Sequence, residues 1–403
     1  MKFPGNRLLL GPATSIVSLW SAIQPFRQDL LGLAIWLFNQ YRTFPVAYAA
    51  LSYLFFTMAF CHYPIGGHWL TGFIMMTLPL AILSGLFASI YLLCRQEKMM
   101  ATAGLIWVLF SLPVVKRLIG AGLTDVTTSQ AASLKVLSFN SETFPEASAT
   151  LFDEGLLTAD IACFQEYSPN RRVEGEYAYK LEKLTSFGPD RQVGLALFSQ
   201  YPIINHYSRI WDRDNEPDIN GFLCADIAYG ADTIRVVNVH LWSMGVRINQ
   251  AMDALKAGDL QKVGFELYDT FRRLKKGFEH RNGQLKEVES YVAGSRYPVI
   301  ICGDFNETPF GYSYGKLSLN FRNAFEEAGE GLGFTLNRHP YCVRIDQQFF
   351  SADWAVRSCQ TLSKVSFSDH FPVMAHYVLK TSLNAPAEGV AQRKTTIREI
   401  AQN

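Results

Sequence analysis

The chain has 403 residues, longer than one typical domain, and leaves room for two organisational units. Its formal charge of +1 hides an asymmetry: residues 1–125 carry 8 basic and 3 acidic side chains, whereas residues 126–403 carry 29 basic and 33 acidic ones. The larger part is net acidic, which argues against the basic footprint that duplex binding ordinarily shows.

The first third holds the long apolar runs. Leu30 to Phe38 is too short to span a bilayer and is expected to lie at its interface. Phe44 to Cys61 is uncharged over 18 residues and Leu70 to Cys94 over 25. Both are long enough to cross a bilayer core of about 30 Å as helices. Ala101 to Val115 ends at Lys116-Arg117 and is interrupted by Pro113; it spans if those two cations snorkel to the interface. Three transmembrane helices are therefore expected, over 44–61, 70–94 and 101–119. A cleavable signal peptide fits poorly, because the first run starts far from Met1.

Lys2, Arg7, Arg27 and Arg42 precede the first span, Arg95 and Lys98 lie between the second and third, and His62 to Trp69 has no Lys or Arg. The positive-inside rule puts the N-terminus and second loop in the cytoplasm. Three spans then place the remainder of the chain outside, as in an integral protein of a bacterial inner membrane. Dropping the third span reverses that answer.

Gly120 to Ser133 is small, polar and aperiodic and reads as a linker over 120–133. Beyond it, short apolar strands alternate with turns at Leu134–Phe139, Ile161–Phe164, Gly194–Ser199, Phe222–Ile227, Ile234–His240, Pro298–Cys302, Asp346–Phe350 and Pro372–Tyr377. Such runs fit the two inner sheets of a sandwich with helices outside. Met244 to Ser295 reads as helix and carries the basic run Arg272 to Lys276, a solvated face or else a membrane-surface or phosphate-steering patch. The tail over 381–403 is polar and without apolar period, which reads as disorder.

Seven cysteines say little. Cys163 and Cys302 read as small buried hydrophobes, Cys342 and Cys359 could pair in an oxidising compartment, and nothing has zinc-site spacing.

The chemistry gathers at strand ends. The stretch Ile300 to Pro309 runs a β-branched strand into Gly303, Asp304 and Asn306, setting a carboxylate and a carboxamide on the strand's lip. Five further clusters recur in order: Ser138-Phe139-Asn140, Gln165-Glu166, Asn238-Val239-His240-Leu241, Arg344-Ile345-Asp346 and Ser368-Asp369-His370. At these residues the sequence resembles the endonuclease/exonuclease/phosphatase superfamily of metal-dependent phosphoesterases, which includes DNase I and exonuclease III. The resemblance covers Leu134 to Leu379.

It implies a four-layer α/β/β/α sandwich over 134–380, preceded by the transmembrane helices. It also implies Mg²⁺, with Mn²⁺ as the alternative. A hard oxygen environment suits Mg²⁺, with Glu166 the leading ligand and Asn140 and Asp369 beside it. Asp304 would orient and deprotonate the attacking water, and Asn306 and Asn140 would contact the phosphate. His240 resembles the branch in which a second histidine faces His370, as in DNase I, sphingomyelinases and inositol phosphatases. Asp369 would serve either the metal or the histidines. Asp346 would orient a histidine or a phosphate contact, although Gln347-Gln348-Phe349-Phe350 departs from the family's usual aromatic-aliphatic run.

Pro340 to Arg344 only loosely echoes the inositol-phosphatase signature. The substrate class stays open among a lipid headgroup, a nucleic acid and a small phosphoester, with diester over monoester weakly preferred. The bilayer is the other expected partner, and no obligate protein partner is evident. The alternatives are a DNase I-like nuclease and a catalytically idle, membrane-tethered binding module.

Overall fold

The computed structural model describes residues 31–380 apart from 65–66, 123–131, 145–157, 190, 212–217, 244–247, 339–341 and 366. The expected tail over 381–403 and most of the expected linker lie outside the described residues. The chain divides into two compact units, one formed by residues 1–56 and 80–109 and the other by residues 57–79 and 110–403.

The apolar runs fold as helices α1 (Pro45–His62), α2 (Trp69–Met76), α3 (Leu78–Cys94), α4 (Lys98–Phe110) and α5 (Leu112–Val115). Pro45–His62 and Lys98–Val115 are long and apolar enough to cross a membrane, and α2 with α3 would count as a third span if its 58° bend is allowed. That bend falls inside the expected 70–94 span. Pro79 stands in the first turn of α3 and has no N–H to offer the carbonyl four residues back, so the helix stops and restarts at Thr77. Within the first unit, small residues let the helices approach closely. A Cβ on Gly104 would lie 2.2 Å from the Ser89 hydroxyl, and one on Gly85 2.5 Å from Leu54. Ser89 donates to the Gly85 carbonyl at 2.7 Å, while Leu80, Leu83, Phe87 and Ile90 point outward.

The second unit holds two six-stranded mixed sheets. One has the order β10-β12-β9-β8-β7-β6 and the other β13-β14-β2-β3-β5-β4. The first comprises β10 (Arg322–Asn323), β12 (Asp346–Phe350), β9 (Val299–Asp304), β8 (Asp232–His240), β7 (Gly221–Tyr229) and β6 (Ile203–Ile210). The second comprises β13 (Trp354–Thr361), β14 (Val373–Leu379), β2 (Leu134–Asn140), β3 (Ile161–Tyr167), β5 (Gln192–Ser199) and β4 (Tyr179–Ser186).

Val136, Cys163, Leu197, Leu223, Val236, Ile300 and Cys302 meet between the sheets. On the outer face of the second sheet Leu137, Phe139, Phe164 and Phe198 form another core with Val173 of α6 (Arg171–Gly175). Strands buried on both faces read as continuous apolar runs, which is why every strand expected from the sequence is present. The long helices are α7 (Ile248–Lys256) and α8 (Leu260–Val292), the latter capped by Asp259. Short helices α9 (Tyr312–Leu317) and α10 (Ala324–Ala328) complete the set, giving the expected four-layer sandwich.

This unit reaches beyond 134–380. Gly120 and Ala121, expected in the linker, lie in β1 (Ile119–Ala121), which pairs with β11 (Glu330–Leu332). Residues 57–79 belong to it as well: Cys61 Sγ lies 3.7 Å from the Phe310 carbonyl, and Gly72 lies under the Phe278 ring, where a Cβ would be 2.5 Å away. The cysteines are all free. Cys163 and Cys302 are core residues as expected, but Cys359 is buried on β13 while Cys342 is exposed, so those two do not pair.

Candidate active site

The topology brings the strand-end clusters to one end of the sandwich. β2 and β3 run parallel, as do β8 and β9, so Asn140, Glu166, His240 and Asp304 share their C-terminal ends. β12 runs antiparallel to β9 and sets Asp346 directly opposite Asp304. Residues two apart on a strand share a face, so Asn238 and His240 both point between the sheets, His240 at the open end. A register shift after Phe164 breaks the alternation at Glu166. Gln165 and Asn238 turn between the sheets, where the Gln165 amide donates to Asn238 Oδ1 at 2.6 Å. Glu166 and His240 face the site. Two distortions shape the lip: Glu166 and Asn306 have φ near +50°, in the left-handed region where strain clusters at functional sites. Gly303 has φ +146°, and any Cβ there would strike the Val239 carbonyl.

Asp304 is the hub. Its Oδ2 accepts from the Asn306 amide at 3.1 Å and the Asn140 amide at 3.2 Å. His240 Nε2 and His370 Nε2 each stand 3.7 Å from the same oxygen. Asn140 also donates to Glu166 Oε1 at 3.2 Å, and His240 Nε2 lies 3.8 Å from that oxygen. Behind His370, Asp346 Oδ2 meets the ring Nδ1 at 2.9 Å. Asp369 is turned elsewhere: its Oδ2 pairs with Arg338 at 2.6 Å, and its Oδ1 is 3.8 Å from His370 Nε2.

Burial fixes the electrostatics. It raises the Asp304 carboxyl above its usual range, opposed by His370 and His240 and reinforced by Asp346. Burial also works against the charged His370 ring, but Asp346, Asp304 and Asp369 together overcome it and raise that imidazole to about 10. The cluster thus holds a cationic histidine against a carboxylate whose proton affinity is enhanced.

Two donor sets could take a metal. Ligand atoms of Asp304, Asp346 and His370 lie within 4.8 Å of one another. There, however, the His370 ring is held cationic and its Nδ1 is already committed to Asp346, and an imidazolium is a poor ligand. Glu166 and Asn140 at the mouth offer oxygen atoms without thiol or imidazolium, and the Glu166 side chain is half-buried, within reach of a hydrated ion. That chemistry fits a hard divalent cation.

Sequence reading missed the residues behind the lip. Fully buried Arg281 of α8 donates to the Trp242 carbonyl at 3.2 Å and the Asn306 carbonyl at 3.3 Å, and faces Glu307 at 3.7 Å. Gln284, one turn on, accepts from the Trp242 N–H at 2.9 Å. An arginine inside the buried apolar stripe between Phe278 and Leu285 was the available signal.

Residues 137–370 match the model of the endonuclease/exonuclease/phosphatase family, and the chain belongs to that family of metal-dependent phosphoric ester hydrolases. No curated protein sequence matches it. Among solved structures it is similar to the human nocturnin catalytic domain with bound sulfate, at 16% identity, covering 62% of this chain and 94% of that one with a TM-score of 0.44. An endonuclease/exonuclease/phosphatase from Beutenbergia cavernae gives 15%, 62%, 72% and 0.45. A mannosyl-6-phosphatase of Bacteroides thetaiotaomicron gives 16%, 61%, 100% and 0.41.

Proposed function

We propose that the chain is a membrane-anchored, Mg²⁺-dependent phosphoesterase that hydrolyses a phosphodiester or phosphomonoester by attack of water. The observation that carries this reading is Asp304 Oδ2, on which two amides and two imidazoles converge. A carboxylate of raised proton affinity, fixed by the Asn306 N–H at 2.8 Å, is suited to orient a water and take its proton. The His240 and His370 rings are then donors aimed where negative charge develops on phosphoryl oxygens. The Asn140 and Asn306 amides, which here donate to Asp304, Glu166 and the Leu241 carbonyl, would turn to the phosphate as substrate replaces those bonds. Asp346 holds His370 in orientation and charge, and Asp369 belongs to the histidine side of the site. Glu166 with Asn140 would hold Mg²⁺, or Mn²⁺ in its place, and the ion when bound supplies Lewis-acid charge to the phosphoryl group.

Chain connectivity supports the anchoring and its sense. Residues 57–79 and 110 onward form one compact unit, so the intervening α3 and α4 leave it and return. An even number of crossings follows if both insert, which places this unit on the side of the Lys/Arg-free loop from His62 to Trp69. By the positive-inside rule that is the extracytoplasmic side, as for a bacterial inner-membrane protein.

The test is phosphate or headgroup release by the full-length chain in detergent, with Mg²⁺ and with EDTA. The panel is bis-p-nitrophenyl phosphate, single- and double-stranded DNA, phospholipids and inositol phosphates. Metal-dependent turnover that His370→Ala abolishes is expected. A folded protein that turns over nothing would overturn the reading in favour of a binding module.

A further inference from the structure

Helix α8 carries one apolar stripe at helical spacing, but only half of it has protein beneath. From Leu274 through Phe278 and Leu285 to Val292 the stripe is buried. Leu260, Leu267 and Phe271 continue the same face and are exposed, Leu260 at 74%. Tyr268 flanks them, equally open, and on α7 Met252 and Leu255 are exposed too. A contiguous apolar surface of this kind marks an interaction site.

Its neighbours identify the occupant. The Phe271 ring packs on Phe73 of α2 at 4.8 Å between centroids. Helix α2 begins shortly after α1 ends at His62 and stops just before α3 begins at Leu78. The uncovered stripe therefore starts where the chain enters the apolar helices suited to a bilayer. Lys256 follows the exposed Leu255 on α7, and Lys275 sits over the Trp69 ring at 5.9 Å, as cations and aromatics do at a lipid headgroup layer.

We propose that the exposed half of α8, together with α7, rests on the bilayer surface with Leu260, Leu267 and Phe271 sunk at the headgroup–acyl boundary. This rests on the membrane-anchored reading above. One helix then joins the lipid surface to the catalytic loops: about 15 Å separates Phe271 from Arg281 at 1.5 Å per residue, and Arg281 and Gln284 hold the loops bearing Trp242 and Asn306. The site is thereby held beside phosphoesters at headgroup level.

The experiment uses the full-length chain in vesicles of phosphatidylcholine and phosphatidylglycerol. The two exposed cysteines are first removed as Cys94→Ser and Cys342→Ser. An environment-sensitive fluorophore is then attached at Leu260→Cys, Leu267→Cys or, as control, Lys262→Cys on the opposite face. Doxyl-labelled lipids should quench the probes at 260 and 267 and leave that at 262 bright. Absence of quenching at 260 and 267, in protein that resists carbonate extraction from the vesicles, overturns the docking but not the anchoring. Release by carbonate overturns both, and probe–probe contact between chains in place of lipid quenching would make a second copy the occupant.

Discussion

In the unit formed by residues 1–56 and 80–109, helices approach closely at Gly85, Ser89 and Gly104, and large apolar side chains such as Leu80 and Phe87 face outward. In the sandwich the arrangement is reversed: Val, Leu, Ile and Phe fill the space between the sheets, and polar groups collect at one end around Asp304. The first pattern rests on close backbone approach and, on the membrane-anchored reading proposed above, has no need to hide apolar surface. The second hides apolar surface and spends part of that gain on buried polar groups that must be mutually satisfied. Polar residues are thus packing aids in one region and chemistry in the other, and each can be removed separately.

The largest effect is expected from Asp304→Ala, which should lower kcat by about 10²–10⁴-fold if the carboxylate handles the attacking water. Near-normal turnover in a folded variant would remove Asp304 from that role. Arg281→Met removes the cation facing Glu307 and leaves that buried carboxylate only its bonds from the Tyr312 and Ser313 N–H groups; it should cost about 3–5 kcal/mol. Adding Glu307→Gln should recover most of it, and denaturant unfolding of the detergent-solubilised chain would read both.

On the other side of the comparison, Gly104→Leu drives a side chain into Ser89 and Leu51. Overpacking of this order costs about 1–3 kcal/mol, and it should loosen the helices to protease while leaving kcat unchanged. A parallel fall in kcat would mean the two regions are not separable. Glu166→Gln should raise the Mg²⁺ concentration for half-maximal activity about tenfold, or about 1.4 kcal/mol; an unshifted titration points to another ligand.

The smallest effect is in pH. His370, raised to about 10, gives a stabilisation fully present below about 6.5, the ordinary imidazole value. It is lost as pH rises through the folded value. Histidine NMR in EDTA should therefore find this ring still charged at neutral pH, and Asp346→Asn should lower its titration. A ring that titrates at the ordinary value would break the dyad assignment.

The central strands were legible because burial on both faces leaves an uninterrupted apolar run, as at Val299 to Cys302. Of the strands missed, β4, β6, β10 and β13 are the four edges of the two six-stranded sheets, and β1 and β11 pair only with each other. Edge strands carry polar residues on an open side, and Lys180, Glu182 and Lys183 obscure the period of β4. The site's carboxylates and histidines were legible for a different reason: each falls in a short contiguous cluster at a strand end. Arg281 belongs to the same site through space but sits in a helix far from every cluster. The docking of residues 69–76 on α8 was hidden because their apolar character matches that of helix α3, which follows, and only Thr77 and Pro79 mark the break.

That docking also sets a timetable. Gly67 and its hydrogen-bond partner Asn282 are 215 positions apart. At a synthesis rate of about 5–20 residues per second, α2 waits about 10–40 s for α8 to emerge from the ribosome. Until then the α2 face that meets Phe271 and Phe278 lacks those two partners. Completion of the catalytic unit therefore waits on the return of the chain from the helices that interrupt it.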